Sequence, residues 1–282
     1  MRLQAWQVGL DIQAGFVRAI AVQRRRYGWQ LRHWWQHPLP PISLRGGILH
    51  ETAGLSAILS VWRHSLPSKI SLRICLPAQR VMQHSLPQPD ARLSGAARSA
   101  FIFASGARHF PLSTEQLVMD YRAAPAGDNA IIVTAARRQE VEQWQHVLAA
   151  SGLFPEVIEL APCALQLAAS ASGVSGEKLL FHRLDEGWLW VSPHGLPFQF
   201  GAFDDEEVSD VTTLNTLARA QYRASRLCEE GSLFSGAVSE PLPEGIASWS
   251  PLTAIGQLSP PLPAHPGSYA LAVGLAIRAV DR

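Results

Sequence analysis

The 282-residue chain predicts an α/β fold in two unequal lobes, with a small α+β subdomain inserted into the first. Three observations carry this expectation. The first eighty residues spell β-β-β-α-β, a unit of strand–helix–strand–strand–helix follows, and a three-strand meander precedes an apolar closing helix. The expected division is 1–79, 153–175 and 268–282 for the first lobe, 80–152 for the insertion and 176–267 for a reduced second lobe. With 47% hydrophobic residues and a net charge of +1, the composition is globular; it excludes a mini-protein, a disordered tail and a collagen-like repeat. A chain of this length buries enough apolar surface to hold together without disulfide or metal staples.

The elements follow from local pattern. Segments 7–12, 15–23 and 29–37 are rich in Val, Ile, Leu and aromatic residues and are broken by Gln13-Ala14-Gly15 and by the turn at 24–28, so three antiparallel strands are expected. Residues 51–64 place Leu55, Ile58, Leu59 and Trp62 on one helical face, and Pro67 ends that element before a strand at 70–76. The insertion reads as a strand at 80–86, a helix at 91–104, strands at 117–124 and 129–137 around a turn at 125–128, and a helix at 139–151 stopped by Gly152. A short strand at 156–160 leads into a helix entered through Pro162 and running to 170. Strands at 178–184, 192 and its preceding residues from 188, and 196–200 are separated by Asp185-Glu186-Gly187 and Pro193-His194-Gly195. Asp204, Asp205, Glu206 and Glu207 are expected in the first turn of a helix reaching about residue 227, where they favour the positive end of its dipole. No regular structure is predicted for 239–267, and 268–280 closes the chain as a helix.

Charge is unevenly spread. Residues 1–80 hold 11 Lys+Arg and two acids, Asp11 and Glu51, so they carry 11 − 2 = +9 and the remainder 13 − 21 = −8. A basic half steers toward an anionic lipid surface, an acidic partner or nucleic acid; alternatively Arg24, Arg25 and Arg26 form a solvated hairpin turn, since no aromatic ladder for stacking bases accompanies them. Cys75, Cys163 and Cys228 lie far apart without a C-x-x-C or a Cys/His ladder, so buried idle thiols are expected and no metal site. Asp11 and Arg18 interrupt the first apolar stretch, which excludes a signal-peptide core or membrane span there and leads to the expectation of a cytoplasmic protein.

Val8-Gly9-Leu10-Asp11-Ile12 and Phe16-Val17-Arg18-Ala19-Ile20, with the third strand and helix after them, resemble the first lobe of the actin/Hsp70/FtsA-type (ribonuclease H-like) fold. Ile74-Cys75-Leu76-Pro77, Tyr121 followed by the apolar strand 131–136, the helix end 148–155, and the helices 161–167 and 269–278 make the resemblance narrower. Together, nearly end to end, they are similar to the PilM family, actin-like cytoplasmic components of type IV pilus assembly, and to its shorter HofM-type, DNA-utilisation branch. The resemblance implies a two-lobed actin-like fold in which the insertion is the strand–helix–strand–strand subdomain of FtsA and PilM.

Departures from the family pattern bear on activity. Nucleotide-binding members read D-x-G-S-S-x-x-K in the first turn, where backbone N–H groups wrap phosphates and the Asp orders hydrated magnesium. Here the turn is Asp11-Ile12-Gln13-Ala14-Gly15-Phe16-Val17-Arg18, so Gln13 and Ala14 replace the glycine and its serine. The second phosphate loop falls on Phe181-His182-Arg183, without acid or glycine, and of the adenosine-contacting G-G only Gly236 remains. Asp11, Gln13, Gly15 and Gly236 are therefore a vestigial nucleotide site, with no resident cofactor expected and Mg·ATP at most weakly held. No G-x-S-x-G, H-E-x-x-H or Walker A is present, and Asp185-Glu186 reads as a hairpin tip, so no catalytic residue is assigned and no enzyme activity is expected. The resemblance implies a scaffold beneath the inner membrane that binds the N-terminal cytoplasmic peptide of a PilN/HofN-type bitopic membrane protein. That peptide would lie between the first lobe and the insertion, with Arg80, Val81, Phe101, Phe103, Tyr121 and the helix 161–168 as candidate walls; core packing is an equal account of Phe101 and Tyr121. The alternatives are a weak ATP-binding switch and a nucleic-acid binder using the basic half.

Overall fold

The structure, a computed structural model, describes residues 5–124, 129–174, 177–194, 198–222, 231–237 and 241–279. The first lobe is built on a five-stranded sheet of β1 (Trp6–Ile12), β2 (Phe16–Arg25), β3 (Gly28–Pro38), β6 (Ile70–Leu76) and β10 (Pro155–Leu160), ordered β10-β6-β1-β2-β3. β1–β2 and β2–β3 are antiparallel, whereas β1–β6 and β6–β10 are parallel. The expected hairpin and third strand are therefore present. β2 is apolar at both parities because both sheet faces are covered: Val17, Ala19 and Ala21 pack with α1 (Ala53–Arg63), and Ile20 and Val22 pack toward α4 (Ala161–Ala171) and α6 (Ala270–Ile277). A two-residue ladder not anticipated from sequence, β4 (Leu44–Arg45) with β5 (Ile48–Leu49), turns through Gly46 and Gly47, both at positive φ.

The insertion is a three-stranded antiparallel sheet, β7 (Val81–Pro87), β9 (Ala130–Arg137) and β8 (Leu117–Ala123) in the order β7-β9-β8, with α2 (Gly95–Ala107) on one face over Ile131, Val133 and Ala135. The α2 start lies four residues beyond the expected one because Gly95, at φ +51°, interrupts the helix pattern. The predicted turn at 125–128 lies outside the described residues. β9 runs directly into α3 (Arg138–Ala150), whose Val141, Trp144, Val147 and Leu148 join α1 in the first-lobe core.

The second lobe has the sheet order β13-β12-β11-β14-β15, from β11 (Leu179–Arg183), β12 (Trp188–Val191), β13 (Phe200–Phe203), β14 (Ser232–Ser235) and β15 (Ile246–Ser248), with α5 (Val211–Gln221) packed on it. Four expectations are corrected here. The third meander strand pairs over Phe200–Phe203 and 198–199 carry no strand, while the expected positions 196–197 lie outside the described residues. The four acids at 204–207 precede the helix: Asp204 accepts the N–H groups of Glu206 and Glu207 in a turn, and Asp210 caps α5 by accepting from Thr212 and Thr213 at 2.8 and 2.9 Å. α5 stops at Gln221 because Tyr222 is extended; the predicted positions 223–227 are outside the described residues. Finally, 239–267 is not wholly irregular: it supplies β15 and the buried Trp249, Leu252 and Ile255, and Gln257 exchanges backbone hydrogen bonds with Trp29 and Leu31 of β3.

α6 is buried on all sides and follows a 3-10 turn, Pro266–Tyr269, so the closing helix is shorter than expected. A Cβ on Gly9 would meet the α6 backbone at Ala272, and one on Gly274 would meet the α4 backbone at Ala164, so the absence of side chains lets β1, α6 and α4 stack at backbone distance. Among the described residues no helix is long and apolar enough to cross a membrane.

Candidate functional site

The turn joining β1 and β2 points at the second lobe. Gln13 N–H donates to Phe16 O at 3.0 Å, which closes the turn and leaves the N–H groups of Gly15 and Phe16 directed outward. Both donate to Asp185 Oδ2, at 3.2 and 2.8 Å, while Arg18 donates to Asp185 Oδ1 at 2.7 Å. The Gln13 side chain completes the junction: its Oε1 accepts from Asp185 N–H at 2.8 Å and its Nε2 donates to Asp11 Oδ2 at 2.7 Å. Asp185 stands at the β11–β12 hairpin tip, as the sequence predicts, but its carboxylate bridges the lobes. Arg18 and Asp185 keep only 8% and 12% of their side-chain surface exposed.

Burial pushes the Asp11 carboxyl up to about 6 against the opposing pull of Arg18, and it pulls His182, whose Nδ1 lies 2.9 Å from Ser235 Oγ, down to about 3. The Cys75 thiol, 3.9 Å from Asp11 Oδ1, is held well above its usual range by burial and by that carboxylate. The space left beside Asp11, Gln13, Cys75 and Glu186 is about 70 Å³, whereas small-molecule sites span roughly 300–1,000 Å³. These residues do not fit Mg·ATP. The loop donors that would cradle a phosphate are spent on the protein's own carboxylate, and Gly236 is turned away, its backbone packed against Gly267. Asp11, Gln13 and Gly15 are thus brought together and Gly236 is not among them; among the described residues no cluster could hold a metal ion.

A second concavity, of about 630 Å³, lies between the insertion and the first lobe. Its walls are β8 and β10, each the last strand of its sheet. Consecutive residues of both strands line it, 118–122 on one side and 156–160 on the other, so it exposes strand edges rather than a single face. Val81, Ala136 and Val141 form apolar floor, and Glu159 closes one part of it, accepting from Arg278 at 2.6 Å, from Arg122 at 3.4 Å and from Leu160 N–H at 3.0 Å. Arg122 also reaches Cys163 Sγ at 3.1 Å; burial nevertheless pushes that thiol up to about 12, so it stays protonated.

Of the walls expected from sequence, Val81 and Tyr121 line this groove. Arg80 turns to an ion pair with Glu140 on α3, Phe101 stands 50% exposed on α2, and Phe103 packs edge-on against Tyr121 at 5.6 Å without lining the groove. The helix expected at 161–168 contributes through Cys163, which touches Arg122, while its first residue lines the interlobe cavity instead. Sequence reasoning missed Asp185, Val118, Arg122, Glu159 and Arg278. A signal existed for one of them: Arg18 sits in a strand apolar on both faces, and a guanidinium there requires a carboxylate from elsewhere.

The family model of Type IV pilus assembly protein PilM matches residues 9–175, more than half of the chain. DNA utilization protein HofM of Escherichia coli (strain K12) is 26% identical over 280 residues, 98% of both chains. Among solved structures, the PilM-PilN type IV pilus biogenesis complex contains a chain that superposes with a TM-score of 0.71 at 17% identity, with all of both chains covered. The cytoplasmic domain of EpsL, an inner-membrane component of the type II secretion system of Vibrio cholerae, superposes with a TM-score of 0.58 at 14% identity, covering 97% of this chain and 95% of that one. These likenesses, with that to the ethanolamine utilization protein EutJ of Carboxydothermus hydrogenoformans (TM-score 0.50, 9% identity, 96% and 89% covered), establish the actin-like fold.

Proposed function

The chain belongs to the family of type IV pilus assembly protein PilM, and on that premise we propose that it is a non-enzymatic adaptor of a pilus-like or DNA-uptake apparatus. It grips the cytoplasmic N-terminal peptide of a PilN-type inner-membrane protein and sits at the inner membrane through that partner. The observation that carries this reading is the pair of edge strands, β8 and β10, facing one groove of about 630 Å³. An extended peptide laid there extends either sheet by main-chain hydrogen bonds, while Val81, Val118 and Val157 offer apolar purchase and Arg122 and Arg278 offer charge. The solved PilM-PilN complex concerns a chain of the same fold and supports the choice of partner class.

The test is calorimetric titration with the N-terminal cytoplasmic peptide of the membrane protein encoded beside this one, followed by hydrogen exchange. Saturable binding with new protection in 117–123 and 155–160 is expected. Protection confined to 178–203 would place the partner on the second lobe and overturn the groove assignment.

A further inference from the structure

One end of the first-lobe sheet gathers cations and aromatic rings with hardly any acid. The register Trp6↔Ile70 and Pro155↔Leu72 brings the starts of β1, β6 and β10 to this end, and the β2–β3 tip at Arg26 and Tyr27 projects from it. The segments that meet here, 5–8, 22–32, 63–71, 152–156 and 254–258, contain Arg24, Arg25, Arg26, Arg32, Arg63 and Lys69 against a single acid, Glu156, which accepts a hydrogen bond from Ser71.

Three of the guanidiniums rest on rings: Arg24 on Trp29 at 5.0 Å, Arg26 on Tyr27 at 5.3 Å and Arg32 on Trp6 at 5.3 Å. Each ring supports a cation, and two large apolar side chains at this end are strongly exposed, Tyr27 at 76% and Phe154 at 70%. The hairpin is braced: Gln257 N–H donates to Trp29 O at 3.1 Å and Leu31 N–H donates to Gln257 O at 2.9 Å.

We propose that this end, centred on Arg24–Tyr27, Lys69 and Phe154, docks onto an anionic phospholipid surface. Arg and Lys reach headgroup phosphates while Tyr27 and Phe154 enter the interfacial layer, the pairing of charge and aromatic ring that membrane interfaces favour. A duplex nucleic acid would share the phosphate contacts but gives no place to two protruding rings set apart, one at the β2–β3 tip and one just before β10; stacking needs rings in series along a groove. The surface stands on its own charge and ring geometry. It also agrees with the groove, because β10 begins at this end and a peptide lying along β10 leaves the groove beside Lys69 and Phe154.

The experiment is co-sedimentation of the full chain, without peptide, on vesicles of phosphatidylcholine alone and with about 30% phosphatidylglycerol, at low and at roughly 0.5 M salt. We expect at least tenfold stronger partition onto the anionic vesicles, lost at high salt. The triple variant Arg24→Ser, Arg25→Ser, Arg26→Ser is expected to reduce it about tenfold with Tm and groove-peptide affinity unchanged, and Tyr27→Ala severalfold. Equal partition onto both vesicles, or an unaffected triple variant, overturns the proposal. Mixed-sequence duplex DNA that binds at lower concentration than the anionic vesicles, and competes with them, overturns it in favour of nucleic acid.

Discussion

The interlobe cleft and the groove beneath the insertion are both seams between parts of one fold, and they are finished in opposite ways. In the cleft, donors that could hold an anionic ligand already hold one, the Asp185 carboxylate, and about 70 Å³ is left. In the groove, two strand edges meet across about 630 Å³ without pairing to each other. A seam whose polar groups are spent on one another is a structural joint, whereas one walled by two edge strands is where the proposed peptide would lie.

The strongest way to break the contrast is Asp185→Ala. It leaves Arg18 and two loop N–H groups buried without their carboxylate, and a loss of about 3 kcal/mol in urea unfolding is expected, with groove-peptide affinity unchanged. A loss below about 1 kcal/mol would mean that the carboxylate is not what joins the lobes. On the other seam, Val118→Glu places a carboxylate at a position that is 38% exposed in the free protein and covered by any occupant. Peptide affinity should fall by about 1–3 kcal/mol in calorimetry while Tm holds, the reverse of the first variant.

The smallest effect sharpens the picture of the cleft as a closed joint. Asp11 keeps its proton to about pH 6 when folded but loses it near its ordinary value of 3.8 when unfolded. Its contribution to stability is therefore greatest at low pH and is lost as pH rises from 4 through 6. His182 acts in the opposite direction: it stays neutral down to about 3 when folded but binds a proton near its ordinary 6.5 when unfolded, so its contribution declines as pH falls through that window. The two slopes offset each other in the parent. Asp11→Asn removes the first, so unfolding free energies measured from pH 4 to 7 should approach the parent's at the acid end and exceed them by about 1–2 kcal/mol at neutrality.

Much of the first lobe and insertion was legible because period and punctuation agree there. Val8, Leu10 and Ile12 alternate, Leu55, Leu59 and Trp62 share a helical face, and Pro67, Pro77 and Gly152 stand at element ends. The second lobe was less legible because its signals are short or compete. β14 is four residues of Ser-Leu-Phe-Ser with no alternation long enough to separate from a loop, and the acids at 204–207 outweighed the true cap, Asp210 with Thr212 and Thr213 after it. The site was harder still. Val81 and Tyr121 fell in the groove, but Arg122, Glu159 and Arg278 meet only because β8, β10 and α6 converge from distant parts of the chain, a coincidence that local pattern does not encode.

The backbone-distance stacking at Gly9 and Gly274 also orders events during synthesis. β1 is made long before the helix that covers it through Ala272, with the insertion and the second-lobe sheet between them in the chain. The insertion, whose pairings all fall between Val81 and Arg137, has what it needs long before then. The apolar faces of β2 and α4 that pack on α6 therefore stay uncovered until residues 270–277 have been made. The first lobe completes its core only once α6 has been made, and Arg278, at the end of that helix, is the last of the groove-lining residues to be synthesised.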